Sequence, residues 1–404
     1  MKAKYFSFLL PISVCFGMQK EVETSTLPHI KLKGHDGAVL VATFSPDNQL
    51  IASGSSSDKN NLMVWQNKTG QLLHNLVGHT AEITALKFTD YVPLLVSGSN
   101  GKDNNLKIWD TQTGKKIYDL VYHTNDITAI DYTINTGFIV TASNGSEKNL
   151  ALWNSITGEL MHALVGHTGG IDMVQFDPTG EIIASSNPSW SGGPKQTIFL
   201  WNTQGQQLKK ICFDDVNGDL AFNKNLTQYA GSRLYPNDNP KNGPVMNAIL
   251  TVWDMNFEEI KQQTYPKQVF VGHMSEVAFA CFSPDSTKIV SGSIDNKNNL
   301  ILWNTITGNI IVNLTRQDER VILTAQFSPN ERYIVTGGIT NNNGYLSIWD
   351  LTTKNIIYDI KNDARITSAQ WSPNGKYLIT AGSQRSNSNI GELILWLFDQ
   401  VSQQ

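Results

Sequence analysis

Eight tryptophans recur along the chain at intervals of 44 to 52 residues, and this spacing constrains the fold more than any other feature of the sequence. Each tryptophan ends a short apolar run, such as NLKIW or NLILW. Self-similarity at a fixed period of this length is typical of repeat architectures. The sequence therefore predicts eight copies of one structural unit, which end at Trp65, Trp109, Trp153, Trp201, Trp253, Trp303, Trp349 and Trp396.

Most copies have the pattern of four short antiparallel strands. In the stretch VAFACFSPDSTKIVSGS, two apolar strands flank a turn in which proline presets the backbone and aspartate accepts local hydrogen bonds. The tryptophan strand follows, and a Thr-Gly turn leads to a fourth strand. The third strand is apolar at nearly every position, which indicates burial on both faces. A ring of sheets packed face to face provides such burial and leaves only short edges.

The chain resembles the WD40-repeat family. The resemblance rests on Gly-His pairs and on Trp-Asp pairs with Trp-Asn variants, and it covers about residues 30 to 402. It implies an all-β fold, namely a single eight-bladed WD40-type β-propeller with four antiparallel strands per blade. The Gly-His pairs are Gly34-His35, Gly78-His79, Gly166-His167 and Gly272-His273, and the Trp-Asp pairs are Trp109-Asp110, Trp253-Asp254 and Trp349-Asp350.

The chain ends indicate how the ring closes. After Trp396 only LFDQVSQQ remains, whereas PHIKLKGH near the start reads as an outer strand without a blade of its own. We therefore expect the N-terminal strand to complete the eighth blade, with a seven-bladed ring and one loose unit as the alternative. The predicted propeller spans residues 29–404, with repeat units at about 33–66, 77–110, 121–154, 165–202, 211–254, 271–304, 315–350 and 359–397.

The first residues have the layout of a secretory signal peptide. Lys2 and Lys4 precede an apolar run from Tyr5 to Gly17 that is too short to span a membrane. The sequence therefore predicts a signal peptide at residues 1–17, a linker at residues 18–28 and no integral membrane span. It favours an exported, bacterial product, periplasmic or secreted, with an apolar tail on a cytoplasmic protein as the alternative. Lipidation at Cys15 is disfavoured by Val14.

Composition argues against several classes of partner and cofactor. The net charge of -4 lacks the clustered Lys and Arg expected of a nucleic-acid binder. Three cysteines are too few for a disulfide framework, and no histidine or cysteine cluster has zinc spacing. The segment Asp214 to Asp219 lacks the full calcium-loop spacing and the closing glutamate. We expect no metal and no cofactor.

Histidine, a hydroxyl residue, a carboxylate and tryptophan recur together, and the family resemblance implies a hydrogen-bond network inside each blade. A catalytic triad needs one base beside one nucleophile at one site, so copies around a ring favour a structural role. The implied sets are His35, Ser53, Asp58 and Trp65; His79, Ser97, Asp103 and Trp109; His123, Thr141, Glu147 and Trp153; and His273, Ser291, Asp295 and Trp303.

Function is expected where the repeat is interrupted, because binding residues concentrate in loops held by a rigid scaffold. The longest interruptions lie between the second and third strands of units four, five and eight. Units four and five are neighbours, so their loops are expected side by side on the face of the Gly-His corners. Aromatic and arginine side chains in a polar surround are typical of protein interfaces, and the candidates are Trp190, Arg233, Leu234, Tyr235 and Met246.

The sequence thus favours a non-enzymatic, monomeric scaffold that binds a protein or peptide on this loop-bearing face. The alternative is a propeller enzyme, a hydrolase or lyase with its site at the axial opening. Such an enzyme needs convergent acids or bases on the inner strands, and these strands are mostly apolar. Asp131 and Asp172 are the inner-strand carboxylates to consider.

We expect the mature protein from its native host to begin near residue 18, because the segment before it has the layout of a cleaved signal. N-terminal sequencing and intact-mass measurement check this expectation. A mature protein that retains Met1 would contradict it.

Overall fold

The computed structural model forms a ring of eight four-stranded antiparallel sheets, the β-propeller that the sequence predicts. The predicted signal peptide and the linker up to residue 26 lie outside the described residues. No helix in the described ranges has the length and apolar character needed to span a membrane. The structure describes residues 27–90, 93–101, 105–187, 196–213, 221–236, 246–255, 268–273, 277–293, 300–314, 320–340, 343–384 and 387–398.

Each blade is one sheet, and in blades one to seven the strands follow chain order from the axis outward. Blade one contains β2 (Val39–Phe44), β3 (Leu50–Ser55), β4 (Leu62–Gln66) and β5 (Leu72–Asn75). Blade two contains β6 (Ile83–Phe88), β7 (Leu94–Ser99), β8 (Leu106–Asp110) and β9 (Lys116–Asp119). Blade three contains β10 (Ile127–Thr133), β11 (Phe138–Ser143), β12 (Leu150–Asn154) and β13 (Leu160–Ala163). Blade four contains β14 (Met173–Phe176), β15 (Ile182–Asn187), β16 (Gln196–Asn202) and β17 (Gln207–Phe213).

The second half of the ring has the same organisation, with longer middle strands in blades five, seven and eight. Blade five contains β18 (Ala221–Phe222), β19 (Gln228–Pro236), β20 (Met246–Asp254) and β21 (Gln268–Phe270). Blade six contains β22 (Val277–Phe282), β23 (Lys288–Ser293), β24 (Leu300–Asn304) and β25 (Ile310–Asn313). Blade seven contains β26 (Val321–Phe327), β27 (Tyr333–Ile339), β28 (Gly344–Asp350) and β29 (Asn355–Asn362). Blade eight contains β30 (Ala364–Trp371), β31 (Tyr377–Gln384), β32 (Asn387–Leu397) and, as its outer strand, β1 (His29–Lys31).

The third strand of each blade forms the centre of the hydrophobic core. In blade one, Leu62 and Val64 are fully buried, and both belong to a cluster that includes Trp109 of blade two. Each sheet is therefore covered on one face by the preceding blade and on the other face by the following blade. This packing confirms the two-sided burial predicted from the apolar third strands, and apolar burial is the main favourable contribution to such a ring.

The N-terminal strand closes the ring, as the sequence predicts. His29, Ile30 and Lys31 pair with Trp396, Leu395 and Ile394, and the Lys31 ammonium lies 2.7 Å from the Glu392 carboxylate. Leu27 is buried in a cluster formed by blades seven and eight. Blade eight is thus completed by residues from the opposite end of the chain, which excludes the seven-bladed alternative.

The repeated Thr-Gly turns hold neighbouring blades together at the outer rim. Gly158 has a φ of +70°, a conformation that glycine adopts without strain. A side chain there would also meet the ring of Tyr118 from blade two at 2.6 Å. The Tyr118 hydroxyl donates to the carbonyl of Ile156, two residues before this glycine, at 2.9 Å. The turn therefore requires glycine both for its conformation and for the approach of the neighbouring blade.

A buried asparagine joins each of the first three blades to the next one. The asparagine directly before the third strand donates its amide to a backbone carbonyl ahead of the next blade's inner strand. The contacts are Asn61 to Ala81 at 2.8 Å, Asn105 to Asn125, and Asn149 to Gly169 at 2.7 Å. The repeated Asn-Leu phrase thus encodes a contact between blades, which the periodicity alone did not indicate.

We expect Asn149→Ala to lower the free energy of unfolding by about 1 to 3 kcal/mol, because it leaves the Gly169 carbonyl without its donor. Urea denaturation at neutral pH measures this loss. Asn225→Ala is the matched control at an exposed asparagine, where a change within about 0.5 kcal/mol is expected. Equal stabilities of the two variants would contradict the linking role.

Candidate functional site

A hydrogen-bonded chain of histidine, hydroxyl and tryptophan lies inside five of the blades as the structure describes them. In blade one, His35 Nε2 lies 2.6 Å from Ser53 Oγ, and Trp65 Nε1 donates to the same oxygen at 2.8 Å. The other sets are His79, Ser97 and Trp109; His123, Thr141 and Trp153; His167, Ser185 and Trp201; and His273, Ser291 and Trp303. The structure therefore brings together the histidine, hydroxyl and tryptophan of each set named from the sequence.

The direction of these hydrogen bonds follows from the chemistry of the groups. An indole N–H can only donate, so the shared hydroxyl accepts from tryptophan and has its own proton left for histidine. The Asn60 carbonyl, 2.7 Å from His35 Nδ1, can only accept, so Nδ1–H donates to it and Nε2 of the neutral imidazole accepts from the hydroxyl. His123 has the same arrangement with the Lys148 carbonyl at 2.6 Å. This assignment of the tautomer requires an uncharged imidazole.

Burial keeps these imidazoles uncharged. It lowers the pKa of His35 and His123 to about 4. Burial together with the neighbouring Lys107 ammonium lowers the pKa of His79 to about 3, and burial together with Lys210 lowers that of His167 to about 4. Desolvation disfavours the charged form of a histidine, so the neutral tautomer persists well below neutral pH.

The carboxylates predicted for this network differ from what the structure shows. Asp58 and Glu147 are exposed, and the backbone carbonyls of Asn60 and Lys148 accept from histidine instead. Both carbonyl residues have left-handed backbones, with φ of 50° and 51°. The local turn thus places a carbonyl beside the imidazole and leaves the nearby acid in solvent. The other two predicted carboxylates, Asp103 and Asp295, lie outside the described residues.

Blade four carries a complete network that the sequence reasoning missed. His167 Nε2 lies 2.8 Å from Ser185 Oγ, which accepts from Trp201 at 2.9 Å. The histidine and hydroxyl are 18 residues apart, as in the other four blades, but the hydroxyl and tryptophan are 16 apart instead of 12. The insertion between the second and third strands hid the match. The constant spacing of 18 residues was the signal that could have revealed it.

Blade seven replaces the histidine arrangement with an ion pair. The Arg320 guanidinium donates to both carboxylate oxygens of Asp359, at 2.5 and 3.0 Å. Its Cζ lies 4.7 Å from the centre of the Tyr345 ring. Asp359 also accepts from the Ser347 hydroxyl at 2.8 Å. This bidentate arginine over an aromatic ring joins three elements of one blade.

The residues predicted to bind a partner fall in two groups. Trp190 lies outside the described residues. Arg233, Leu234 and Tyr235 lie in β19, and Met246 lies in β20, where it pairs with Pro236. These four residues were expected in a loop, but they continue the ladder of a hairpin. Hydrogen-bonded strand pairing extends into the segment that the sequence indicated as irregular.

The second and third strands of each blade form what we call the middle hairpin. In blade one, His35 contacts the carbonyl of Asn60, which lies in the turn of this hairpin. The middle hairpins and the Gly-His corners therefore lie at the same end of the ring, which is the loop-bearing face expected from the sequence. The turns between the third and fourth strands lie at the opposite end, since each third strand runs away from this face.

The two inner-strand carboxylates considered for catalysis are engaged in structural contacts. Asp131 Oδ1 lies 2.7 Å from the Lys87 ammonium of blade two, and Oδ2 accepts from the Phe176 N–H of blade four at 2.8 Å. Asp172 accepts from the Ser186 hydroxyl at 3.3 Å. Both oxygens of Asp131 thus link neighbouring blades. Within the described ranges no group of three or more His, Cys, Asp or Glu side chains is arranged to hold a metal ion.

Two family models match separate parts of the chain. The WD40 model, described as WD domain, G-beta repeat, matches residues 26–66, 70–110 and 158–202. The model for eukaryotic translation initiation factor eIF2A matches residues 252–396, from the end of blade five to blade eight. A comparison with curated proteins gave no significant match. The WD40 match and the eight-bladed ring confirm the resemblance drawn from the Gly-His and Trp-Asp pairs.

Two solved structures illustrate the similarity of fold. The computationally designed Ika8 protein is 25% identical to this chain. The match covers 91% of this chain and 98% of the Ika8 chain, with a TM-score of 0.66. The C-terminal WD40 domain of Sif2 is 18% identical to this chain. The match covers 92% of this chain and 98% of the Sif2 domain, with a TM-score of 0.64. The second likeness, at this low identity, concerns the fold alone.

The buried histidines predict a loss of stability in mild acid. Their folded pKa values of about 3 to 4 lie below the ordinary value of 6.5. Below pH 6.5 the unfolded chain therefore binds more protons than the folded one, and stability falls as the pH drops towards 4. We expect the free energy of unfolding to decrease steadily between pH 6.5 and 4, as measured by urea denaturation.

Carboxylates also titrate near the lower end of this range, so a variant separates the two effects. His123→Gln removes one titrating imidazole, and its unfolding should take up about one proton fewer between pH 4 and 6.5 than that of the parent. An identical pH dependence of the parent and the variant would contradict the assignment of a neutral buried His123.

Proposed function

We propose that this WD-repeat β-propeller is a non-enzymatic scaffold that binds a protein or peptide through the middle hairpins of its loop-bearing face. The repeated histidines, hydroxyls and tryptophans of the blades bond to one another and serve packing. A partner is then recognised where the repeat is interrupted, since a rigid ring positions such segments without being altered by them.

The middle hairpin of blade five is the observation that carries this proposal. Its ladder continues to the pair Pro236 and Met246. The inner strand β18 accompanies it only to Ala230, and the outer strand β21 only to Leu250. In the described part of the blade the hairpin thus extends past both of its neighbours. Arg, Tyr and Met, three of the residue types in this extension, are enriched at protein interfaces.

The competing proposal, a hydrolase or lyase at the axial opening, has less support. Asp131 already binds the Lys87 ammonium and a backbone N–H, so its carboxylate is occupied as a link between blades. The matching family models describe groups of proteins that are generally non-enzymatic. We therefore favour binding over catalysis.

We also propose that the propeller acts as a monomer and is exported. The support for export is the N-terminal sequence alone, because the partial match to a translation initiation factor family gives it none. The binding proposal does not depend on the compartment. It depends only on the folded ring and its loop-bearing face.

A paired substitution on the loop-bearing face tests the proposal. Trp190→Ala combined with Tyr235→Ala should leave the free energy of unfolding within about 0.5 kcal/mol of the parent and should abolish capture of partners from a native extract. The matched control is Ile156→Ala with Ile306→Ala, two exposed residues in turns at the opposite end of the ring.

Quantitative mass spectrometry of captured proteins compares the three forms. The proposal expects at least one protein that is retained by the parent and the control but lost by the Trp190 and Tyr235 variant. A captured set that is the same for all three forms would count against this site.

A further inference from the structure

The outer strand of blade four differs in length from its counterparts in the first three blades. β5, β9 and β13 have four residues each, whereas β17 has seven. All but one of these seven, Leu208, pair with β16. β17 is the last strand of its sheet in the described part of the chain. It therefore presents a long edge whose outward N–H and C=O groups can pair with another strand.

The side chains of β17 alternate between a packed face and an exposed face. Ile211 is buried in a cluster with Phe222 and Trp253 of blade five, and Lys209 is half-buried on the same side. Leu208, Lys210 and Cys212 are exposed on the other side. Because side chains alternate along a strand, a partner strand paired with β17 would place every second one of its side chains beside Leu208, Lys210 and Cys212.

The charge of Lys210 is not balanced in the way that the charges of Lys116 and Lys31 on other outer strands are. Lys116 of β9 lies 2.6 Å from Asp119, and Lys31 of β1 lies 2.7 Å from Glu392. Among the described residues no carboxylate lies within ion-pairing distance of Lys210. Its ammonium instead lies 5.3 Å from the centre of the Phe199 ring. An exposed cation over a ring remains available to an acidic partner.

We propose that β17 is a strand-addition site for an extended acidic segment of a partner protein, with a carboxylate opposite Lys210. Main-chain hydrogen bonds along the edge would supply affinity, and the alternating side chains would supply specificity. Lysines on an edge disfavour pairing with a second copy of the same strand, because like charges would then meet. The same lysines favour a strand of opposite charge. This surface lies on the outer rim, apart from the loop-bearing face.

Binding of short peptides tests the proposal directly. The probe is an acetylated, amidated heptapeptide of alternating valine and glutamate with a fluorescent label, measured by anisotropy at low salt. One comparison peptide has lysine in place of glutamate, and another is N-methylated at alternate residues so that it cannot pair. We expect the glutamate peptide to bind at least tenfold more tightly than either comparison peptide, with the difference reduced in high salt.

Two charge reversals locate the site. Lys210→Glu should weaken binding of the glutamate peptide at least tenfold. Lys116→Glu, the matched control on the outer strand of blade two, should leave the affinity unchanged. Thermal unfolding of both variants confirms that each one is folded. Equal affinities of the two variants would overturn the assignment to β17.

The exposed thiol of Cys212 provides an independent readout. In a Cys15→Ser background, the saturating glutamate peptide should slow alkylation of Cys212 at least tenfold. Cys281, on the inner strand β22, is the internal control: burial raises its thiol pKa to about 11, and its alkylation should be slow and independent of the peptide. Unchanged alkylation of Cys212, no measurable binding of the glutamate peptide, or equal binding of the N-methylated peptide would overturn the proposal.

Discussion

One hydroxyl inside a blade serves two partners, an indole N–H and an imidazole nitrogen, and the geometry of five blades depends on it. The hydroxyl sits on the second strand, tryptophan on the third, and histidine in the corner that enters the blade. Indole can only donate and burial keeps the imidazole neutral, so the hydroxyl accepts from tryptophan and donates to the histidine Nε2. In blades one and three the histidine Nδ1–H also donates to a backbone carbonyl of the hairpin turn, so the chain joins the corner, two strands and that turn.

Much of this architecture could be predicted from residues that repeat. The apolar third strands indicated two-sided burial, and the stretch PHIKLKGH indicated closure by the N-terminal strand. Spacing could not tell a carboxylate from a carbonyl, so Asp58 and Glu147 were assigned to a position that the backbone of Asn60 and Lys148 fills. The left-handed conformation that turns those carbonyls inward depends on the local turn. Asn60 and Lys148 both adopt it, with φ of 50° and 51°.

Contacts between blades were the least accessible to sequence reasoning. Asn149 looks like an ordinary turn residue until the neighbouring blade brings the Gly169 carbonyl to its amide. The hairpin of blade five was read as a loop because Pro, Gly and Asn dominate its centre, although the residues on either side continue the ladder. The candidate site was thus located in the correct repeat unit, whereas its backbone conformation depended on pairing that composition does not reveal.

Closure of the ring by β1 also has a consequence for the order in which the protein can be assembled. Lys31 and Glu392 are 361 positions apart in the chain, so β1 pairs with a strand that is synthesised long after it. Blades one to seven can form from local hairpins as synthesis proceeds, since their strands are neighbours in sequence. The opening strand has no partner until the final tryptophan strand is made. Closure of the ring therefore requires synthesis as far as β32, and a chain that stops before β32 leaves β1 without its partner strand.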